Sequence, residues 1–188
     1  MKYNDINIQN RILEQVNRLI FEKGVKGWNM DQLAELSGLA KNTLYRVIGK
    51  KEEVIEKVVL QYIHRVQTQL IPIISSDNDY MASLRKLMSL FPQLLNGFYT
   101  EHMKAIFLEY PSIEQSVFRH RDEMTDSIIA FFNRGVSEGY LREDLKAEVL
   151  FSTLQSIVMG HSRLNKEKDQ LKNQLEAAFS YMVFGIKK

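Results

Sequence analysis

The chain has 188 residues, a length that suits one domain or two small ones. Its 25 basic and 23 acidic residues leave a net charge of +2, which excludes a protein that coats nucleic acid with its whole surface. The absence of cysteine excludes disulfides, thiolate metal sites and thiol catalysis.

The small positive surplus lies in the first 60 residues, which hold 10 basic and 8 acidic residues against 15 and 15 in the remainder. The N-terminal segment lacks the apolar core of a signal peptide, and the longest charge-free apolar run, 149–162, is shorter than a membrane-spanning helix. We therefore expect a cytoplasmic protein with no membrane segment, and any contact with a polyanion to be local.

Apolar residues recur mostly at steps of three and four, and only three prolines and nine glycines interrupt them. This is the helical period, so the fold class predicted is all-α. The first fifty residues predict three short helices. They extend from after Asn7 to Gly24, from after Asn29 to Gly38, and from Ala40 to Gly49.

The helices predicted after residue 50 are longer. They cover 51–70, where Pro72 ends the helix, then 77–97, 101–109, 112–139, 146–162 and 166–186. The change in helix length places a domain boundary near residue 50. We thus expect about nine helices, with a three-helix domain over 1–50 and a larger helical domain over 51–188.

The second and third helices have the pattern of a helix-turn-helix. This motif needs a small residue where its helices cross, a glycine that turns left-handed, and apolar residues that fix the second helix. Ala34, Gly38, Leu39, Leu44 and Val47 meet these needs in order. If the apolar residues point inward, a polar set projects outward, as reading the major groove requires. This set is Lys41, Asn42, Tyr45 and Arg46.

The stretch LAKNTLYRVIGKKEEV, within the segment 12–54, resembles the DNA-binding domain of the tetracycline-repressor (TetR) family. The resemblance implies a homodimeric transcription regulator, usually a repressor. Its partners would be a double-stranded DNA operator, a second copy of itself, and a small-molecule effector bound by the C-terminal domain. The sequence departs from the usual pattern at Ala40, where the family generally has a serine, so the third helix loses a side-chain cap.

Roles at the DNA follow from matching positions in that family. Asn29 would cap the second helix and contact a phosphate, and Lys41, Thr43 and Tyr45 would hold the DNA backbone. Asn42 and Arg46 are the residues that we expect to reach base edges. Lys51 would contact phosphate at the start of the fourth helix. The alternative for each charged residue is a solvated surface without a partner.

A second set of residues, large and adaptable, is concentrated between Phe91 and Phe132 and would suit an apolar ligand pocket. The candidates are Phe91, Phe98, Met103, Phe107, Tyr110, Phe118, Met124, Phe131 and the polar Gln155. The resemblance to the family implies a ligand pocket in this region, but it does not indicate which of these residues line it. The alternative is that most of these side chains simply pack between helices.

The last two helices each carry an apolar stripe, which suggests a helix pair that closes a dimer across a two-fold axis. The interface candidates are Phe151, Leu154, Val158, His161, Leu175, Phe179 and Met182. Packing within one chain is the alternative.

No catalytic or metal-binding motif is present, since the four histidines are scattered and no nucleophile elbow or phosphate loop occurs. We expect no enzyme activity, no metal and no cofactor. A second class, a DNA-associated helical adaptor without a small-molecule ligand, remains open at this point. A sizeable apolar cavity in the second domain would favour the regulator, and a filled one would favour the adaptor.

Overall fold

The structure is a computed structural model, which describes residues 6–76, 79–94, 98–164 and 168–186. Inside the helices, it leaves out the side chains of 91–94, 98–101, 121, 123, 158–159, 161–164 and 168–172. The described residues form nine α-helices and no strand, so the predicted all-α class is confirmed. The helices are α1 (Ile6–Lys23), α2 (Met30–Ser37), α3 (Lys41–Ile48), α4 (Lys51–Ile74), α5 (Tyr80–Leu94), α6 (Phe98–Glu109), α7 (Pro111–Ser137), α8 (Ala147–Leu164) and α9 (Lys168–Ile186).

Several helix ends differ from the prediction by about one to four residues, among them the start of α1 and the end of α4. Helix α1 begins at Ile6, so Asn7 lies inside its first turn and does not precede it. Helix α4 continues through Pro72 to Ile74, so the prediction that Pro72 ends it was wrong. Because Pro72 lies in the last turn, its missing N–H removes one helical hydrogen bond only. The N–H of Ser75 still donates to the carbonyl of Ile71 at 2.9 Å.

The chain divides into two compact units, Met1–His64 with Glu101–Phe118, and Arg65–Thr100 with Arg119–Lys188. We call them unit 1 and unit 2. Helices α4, α6 and α7 each contribute residues to both. The predicted domain boundary at residue 50 stays a prediction.

In unit 1, α1, α2 and α3 pack against one another around a continuous apolar core. Each helix contributes residues at helical spacing, with Ile12, Val16 and Ile20 from α1 and Leu33 from α2 almost fully buried. Burial of such aliphatic side chains stabilises a fold by about 1.5 to 3 kcal/mol each. This core holds α3 in place, so that the side of α3 that faces away from the core is presented to solvent.

In unit 2, α9 packs against α5 and α8. A stack of aromatic rings lies in the same unit, with Tyr80 between Phe131 at 4.7 Å and Tyr140 at 5.0 Å between ring centroids. Arg134 donates hydrogen bonds to the carbonyls of Ile74 and Ser76, both at 3.3 Å. Its guanidinium therefore binds the carbonyl of the last residue of α4 and that of a residue just after the helix.

Candidate nucleic-acid interface

Helix α2 begins with a complete capping box. The side-chain oxygen of Asn29 accepts hydrogen bonds from the backbone N–H groups of Asp31 (3.1 Å) and Gln32 (2.9 Å). In return, the Gln32 side chain accepts from the N–H of Asn29 at 3.3 Å. The predicted cap at Asn29 is confirmed, and its side-chain oxygen is occupied by backbone N–H groups.

The turn between α2 and α3 depends on Gly38. Its φ of 64° and ψ of 28° are left-handed, a conformation that glycine adopts without steric cost. The N–H of Leu39 donates to the carbonyl of Ala34 at 3.0 Å, which satisfies a free carbonyl at the end of α2. The glycine predicted for the turn is therefore at a position that needs it.

Helix α3 begins without a side-chain cap. Ala40 has extended backbone angles, φ −62° and ψ 142°, and makes no side-chain hydrogen bond, as its methyl group predicts. Neighbouring helices hold the other end of α3. Gln9 donates to the carbonyl of Val47 at 3.4 Å, and Lys57 donates to that of Ile48 at 2.9 Å. These bonds satisfy carbonyl groups that the end of a helix leaves free.

The exposure of α3 follows the predicted pattern. Leu44, Val47 and Ile48 are buried, and Thr43 is half-buried. The outward residues are Lys41, Asn42, Tyr45 and Arg46, all exposed. Two cations, an amide and a phenol thus share the outward side of one short helix, and these groups can donate hydrogen bonds to phosphate and base edges.

Lys41 is paired with a carboxylate of the preceding helix. Its ammonium lies 2.6 Å from Asp31 Oδ1, and both side chains are more than half exposed. The hydrogen bond and charge of Asp31 raise the pKa of Lys41 above its usual value. A residue predicted to hold DNA phosphate therefore has a carboxylate of its own chain as its partner.

Lys51 is half-buried at the start of α4 and contacts Trp28. Its ammonium donates to the Trp28 carbonyl at 2.5 Å and lies 4.4 Å from the centre of the indole ring. Burial lowers the pKa of Lys51, while the charge of Glu109 acts in the opposite direction. In this position Lys51 fastens α4 to the α1–α2 connection, and its predicted phosphate contact stays a prediction.

The predicted pocket residues are distributed over both units. Met103, Phe107, Tyr110 and Phe118 belong to unit 1, and Met124, Phe131 and Gln155 belong to unit 2. Met103 and Phe131 are buried, Phe118 is 40% exposed, and the others are half-buried. The side chains of Phe91 and Phe98 lie outside the described residues. A ligand pocket formed by this set remains a prediction.

The described part of the chain includes two depressions outside the predicted pocket set. One, of about 120 Å³, lies in unit 1 between α1 and the α2–α3 turn and includes Arg11 and Leu39. The other is an open groove of about 430 Å³ in unit 2, lined by Ile73, Arg85 and Leu90 among others. Neither is lined by a predicted pocket residue.

The predicted dimer residues with described side chains face largely inward. Phe151, Leu154, Leu175 and Phe179 are buried in the single chain, and Met182 is half-buried. The side chains of Val158 and His161 lie outside the described residues. Exposed apolar residues on the same two helices are Val149 at 58%, Tyr181 at 76% and Phe184 at 87%.

Two features are absent from the described part of the chain, a cluster of metal-binding side chains and a membrane-spanning helix. Among its residues, no group of three or more His, Asp or Glu side chains could hold a metal ion. Nor is any described helix long and apolar enough to cross a membrane.

Sequence reasoning missed Asp31, Gln32 and Trp28. The capping box had a visible signal, since Asn29 and Gln32 have the spacing that such a box requires. The Asp31–Lys41 and Trp28–Lys51 pairs had no signal in the sequence, because both depend on how the helices pack.

No family model matches the chain, and no curated protein matches its sequence. Solved structures do match. A TetR-family regulator, PfmR of Thermus thermophilus, has a TM-score of 0.76 at 22% identity, covering 95% of this chain and 100% of that one. A TetR-family regulator of Agrobacterium tumefaciens has a TM-score of 0.74 at 17% identity, covering 97% and 98%.

A third match is a regulator of Saccharomonospora viridis in complex with choline, with a TM-score of 0.73 at 17% identity and 97% and 98% coverage. These likenesses extend over nearly the whole chain. The chain therefore has the fold of TetR-family transcriptional regulators, and the resemblance seen in the sequence is confirmed at the level of the fold.

Proposed function

We propose that this protein is a DNA-binding transcriptional regulator, without catalytic activity, that uses α3 as its recognition helix. The observation that carries the proposal is the division of α3 into a buried apolar side and an exposed side with Lys41, Asn42, Tyr45 and Arg46. Arg46 and Asn42 would reach base edges, and Lys41, Thr43 and Tyr45 would hold the backbone. Asn29 and Lys51 would add phosphate contacts at the starts of α2 and α4.

The functional form that we propose is a homodimer on a pseudo-palindromic operator. One recognition helix covers only a few base pairs, and a two-fold pair of helices doubles the sequence that is read. Helices α8 and α9 supply apolar surface for self-association. Tyr181 and Phe184 are separated by one helical turn on α9, so they lie on neighbouring positions of its surface, and both are largely exposed.

We further propose that the protein is a repressor and that a small, largely apolar ligand releases it from DNA. Helix α4 has residues in both compact units, so a change in its position would move residues of each unit. A coupling of about 1 to 3 kcal/mol would suffice for regulation. The choline complex of the Saccharomonospora viridis regulator is a precedent for a small molecule on this fold.

The second candidate function is a DNA-associated adaptor without a small-molecule ligand. It is favoured by the burial of the predicted pocket residues Met103 and Phe131, which leaves almost none of their surface exposed to a ligand. Both candidates share the DNA-binding surface. Screening apolar compounds for a change in DNA affinity separates them, because only the regulator responds.

The DNA-binding proposal is tested by selection from a random duplex pool, followed by titration of selected and unselected duplexes. Arg46→Ala should lower affinity for the selected sequence by about 1 to 3 kcal/mol and relax the preference at one position. Lys41→Ala should weaken binding on all sequences alike. Arg18→Ala removes the same charge from the exposed side of α1 and is the matched control. Failure to enrich any sequence, or equal and sequence-blind losses from Arg46→Ala and Arg18→Ala, would contradict the assignment.

The dimer is tested by sedimentation of the paired variant Tyr181→Ser and Phe184→Ser. We expect this variant to contain a larger fraction of monomer than the wild-type protein, because the two substitutions remove exposed apolar surface from α9. Leu108→Ser is the matched control, since Leu108 is 76% exposed but belongs to α6. A wild-type protein that is monomeric with its selected DNA would defeat the dimer model.

A further inference from the structure

The two helices of the helix-turn-helix are joined by one ion pair on their outward side. Asp31 is in the first turn of α2, and Lys41 is the first residue of α3. Their charged atoms lie 2.6 Å apart, with 63% of the Asp31 side chain and 56% of the Lys41 side chain exposed. The pair is thus open to solvent, on the surface that carries the proposed DNA contacts.

The local structure favours a carboxylate at the position of Asp31 and leaves it available to Lys41. The first turn of a helix favours an anion, because its N–H groups and the helix dipole give it positive potential. Asn29 already accepts from the N–H groups of Asp31 and Gln32, so the carboxylate of Asp31 does not serve as the cap. It is directed instead to Lys41.

We propose that Asp31 is a built-in competitor of DNA phosphate, which occupies Lys41 in the free protein and lowers its affinity for DNA of any sequence. The proposal rests on the proposed DNA-binding function. A carboxylate oxygen and a phosphate oxygen offer a lysine ammonium the same kind of charged acceptor. Lys41 therefore exchanges one anion for another when DNA binds, and the carboxylate that it leaves is a negative charge facing the DNA backbone.

This exchange has a consequence for salt dependence. A lysine that neutralises a phosphate releases a counterion, which contributes about 0.9 to the slope of log affinity against log salt. When the same lysine leaves a carboxylate, the attraction of that carboxylate for cations in solution offsets part of this release. The wild-type slope is then smaller than the number of phosphate contacts implies.

The experiment compares Asp31→Asn with Glu35→Gln on the full chain. Both variants remove one negative charge from α2, but Glu35 is exposed one turn further along, and no ion pair is described for it. DNA affinity is measured by fluorescence anisotropy with one random-sequence and one selected duplex, at salt concentrations from about 50 to about 200 mM KCl. Thermal unfolding of each variant shows that it is folded.

We expect Asp31→Asn to raise affinity for both duplexes at the lowest salt concentration by the same factor. Its salt slope should be steeper than that of the wild type, by at most about 0.9, which amounts to a loss of affinity up to about threefold larger over the roughly fourfold salt range. Glu35→Gln should give a smaller gain and little change of slope. A merely structural role of Asp31 at the helix start would lower stability on substitution without raising DNA affinity.

A second pair of variants tests whether the effect passes through Lys41. In a Lys41→Gln background, Asp31→Asn should no longer steepen the slope, because the ammonium group for which Asp31 and phosphate compete is absent. Equal slopes for Asp31→Asn and Glu35→Gln, a steeper slope that persists without Lys41, or a gain confined to the selected duplex would overturn the inference. If no variant binds either duplex at the lowest salt concentration, the proposed function itself fails, which is a separate and distinguishable result.

Discussion

Lys51 contacts Trp28 through both of the surfaces that a tryptophan residue offers a cation. Its ammonium donates to the backbone carbonyl at 2.5 Å and lies 4.4 Å from the ring centre. A hydrogen bond from a charged group contributes about 1.5 to 3 kcal/mol, and a cation–π contact about 0.5 to 2 kcal/mol. The burial that lowers the pKa of Lys51 opposes these gains. Lys51 therefore has a structural role apart from any contact with DNA.

We predict that Lys51→Met lowers the free energy of unfolding by about 1 to 3 kcal/mol, because the Trp28 carbonyl loses its donor while the apolar stem is kept. Urea unfolding monitored by tryptophan fluorescence measures this, and Trp28 is the only tryptophan in the sequence, so the signal reports on the site directly. Lys50→Met is the matched control, because Lys50 is exposed and adjacent. A loss for Lys50→Met equal to that for Lys51→Met would show that charge alone, and not the Trp28 contact, is responsible.

The buried and exposed sides of α3 were predicted correctly because the pattern that determines them lies within the helix itself. Leu44, Val47 and Ile48 recur at helical spacing, so the buried side could be recognised before any packing was known, and the outward residues followed from it. The missing cap at Ala40 was equally local, since an alanine has no side-chain acceptor. What the pattern could not show is which partner an outward residue finds. Asp31 and Lys41 are ten positions apart, and the turn at Gly38 brings them together.

Packing between helices also limited the prediction of the last two helices. The apolar stripes of α8 and α9 identified a buried side, but they did not show whether the same chain or a second copy covers it. The structure buries Phe151, Leu154, Leu175 and Phe179 within one chain. Tyr181 and Phe184 remain exposed, and the repeat of apolar residues alone did not distinguish them from the buried set.

Gly135 of α7 lies against the phenol ring of Tyr80. A Cβ added to Gly135 would be 2.1 Å from the Tyr80 hydroxyl oxygen and 2.3 Å from Cζ. We predict that Gly135→Ala lowers the free energy of unfolding by about 1 to 3 kcal/mol through this overlap, despite the better helix propensity of alanine. Urea unfolding at neutral pH measures the loss.

A Tyr80→Leu background provides the control for Gly135→Ala, because leucine lacks the phenol atoms that the new methyl would meet. There, the same substitution should be neutral or stabilising by up to about 1 kcal/mol, as expected for glycine to alanine in a helix. An equal loss in both backgrounds would mean that Gly135 is needed for its backbone and not for the space it leaves to Tyr80.

Tyr80 itself links stability to alkaline pH. Its side chain is 2% exposed, and its hydroxyl has no hydrogen-bond partner among the described residues. Burial raises the pKa of Tyr80 above the ordinary value of 10, with the positive charge of Arg134 acting in the opposite direction. The folded protein therefore holds the phenol neutral where the unfolded chain ionises it. Its contribution to stability is complete below about pH 10 and is lost as pH rises from there toward the folded value.

We predict that Tyr80→Phe removes this loss and is neutral or stabilising by about 1 kcal/mol at neutral pH, because a buried hydroxyl without a partner costs free energy. Between about pH 9 and about pH 11, the free energy of unfolding should fall less steeply for Tyr80→Phe than for the wild type, by at most about 1.4 kcal/mol for each pH unit above the ordinary pKa. Tyr140→Phe, which alters the exposed ring of the same stack, controls for the loss of a phenol. Parallel pH curves for Tyr80→Phe and the wild type would show that the Tyr80 hydroxyl ionises in the folded protein as readily as in the unfolded chain.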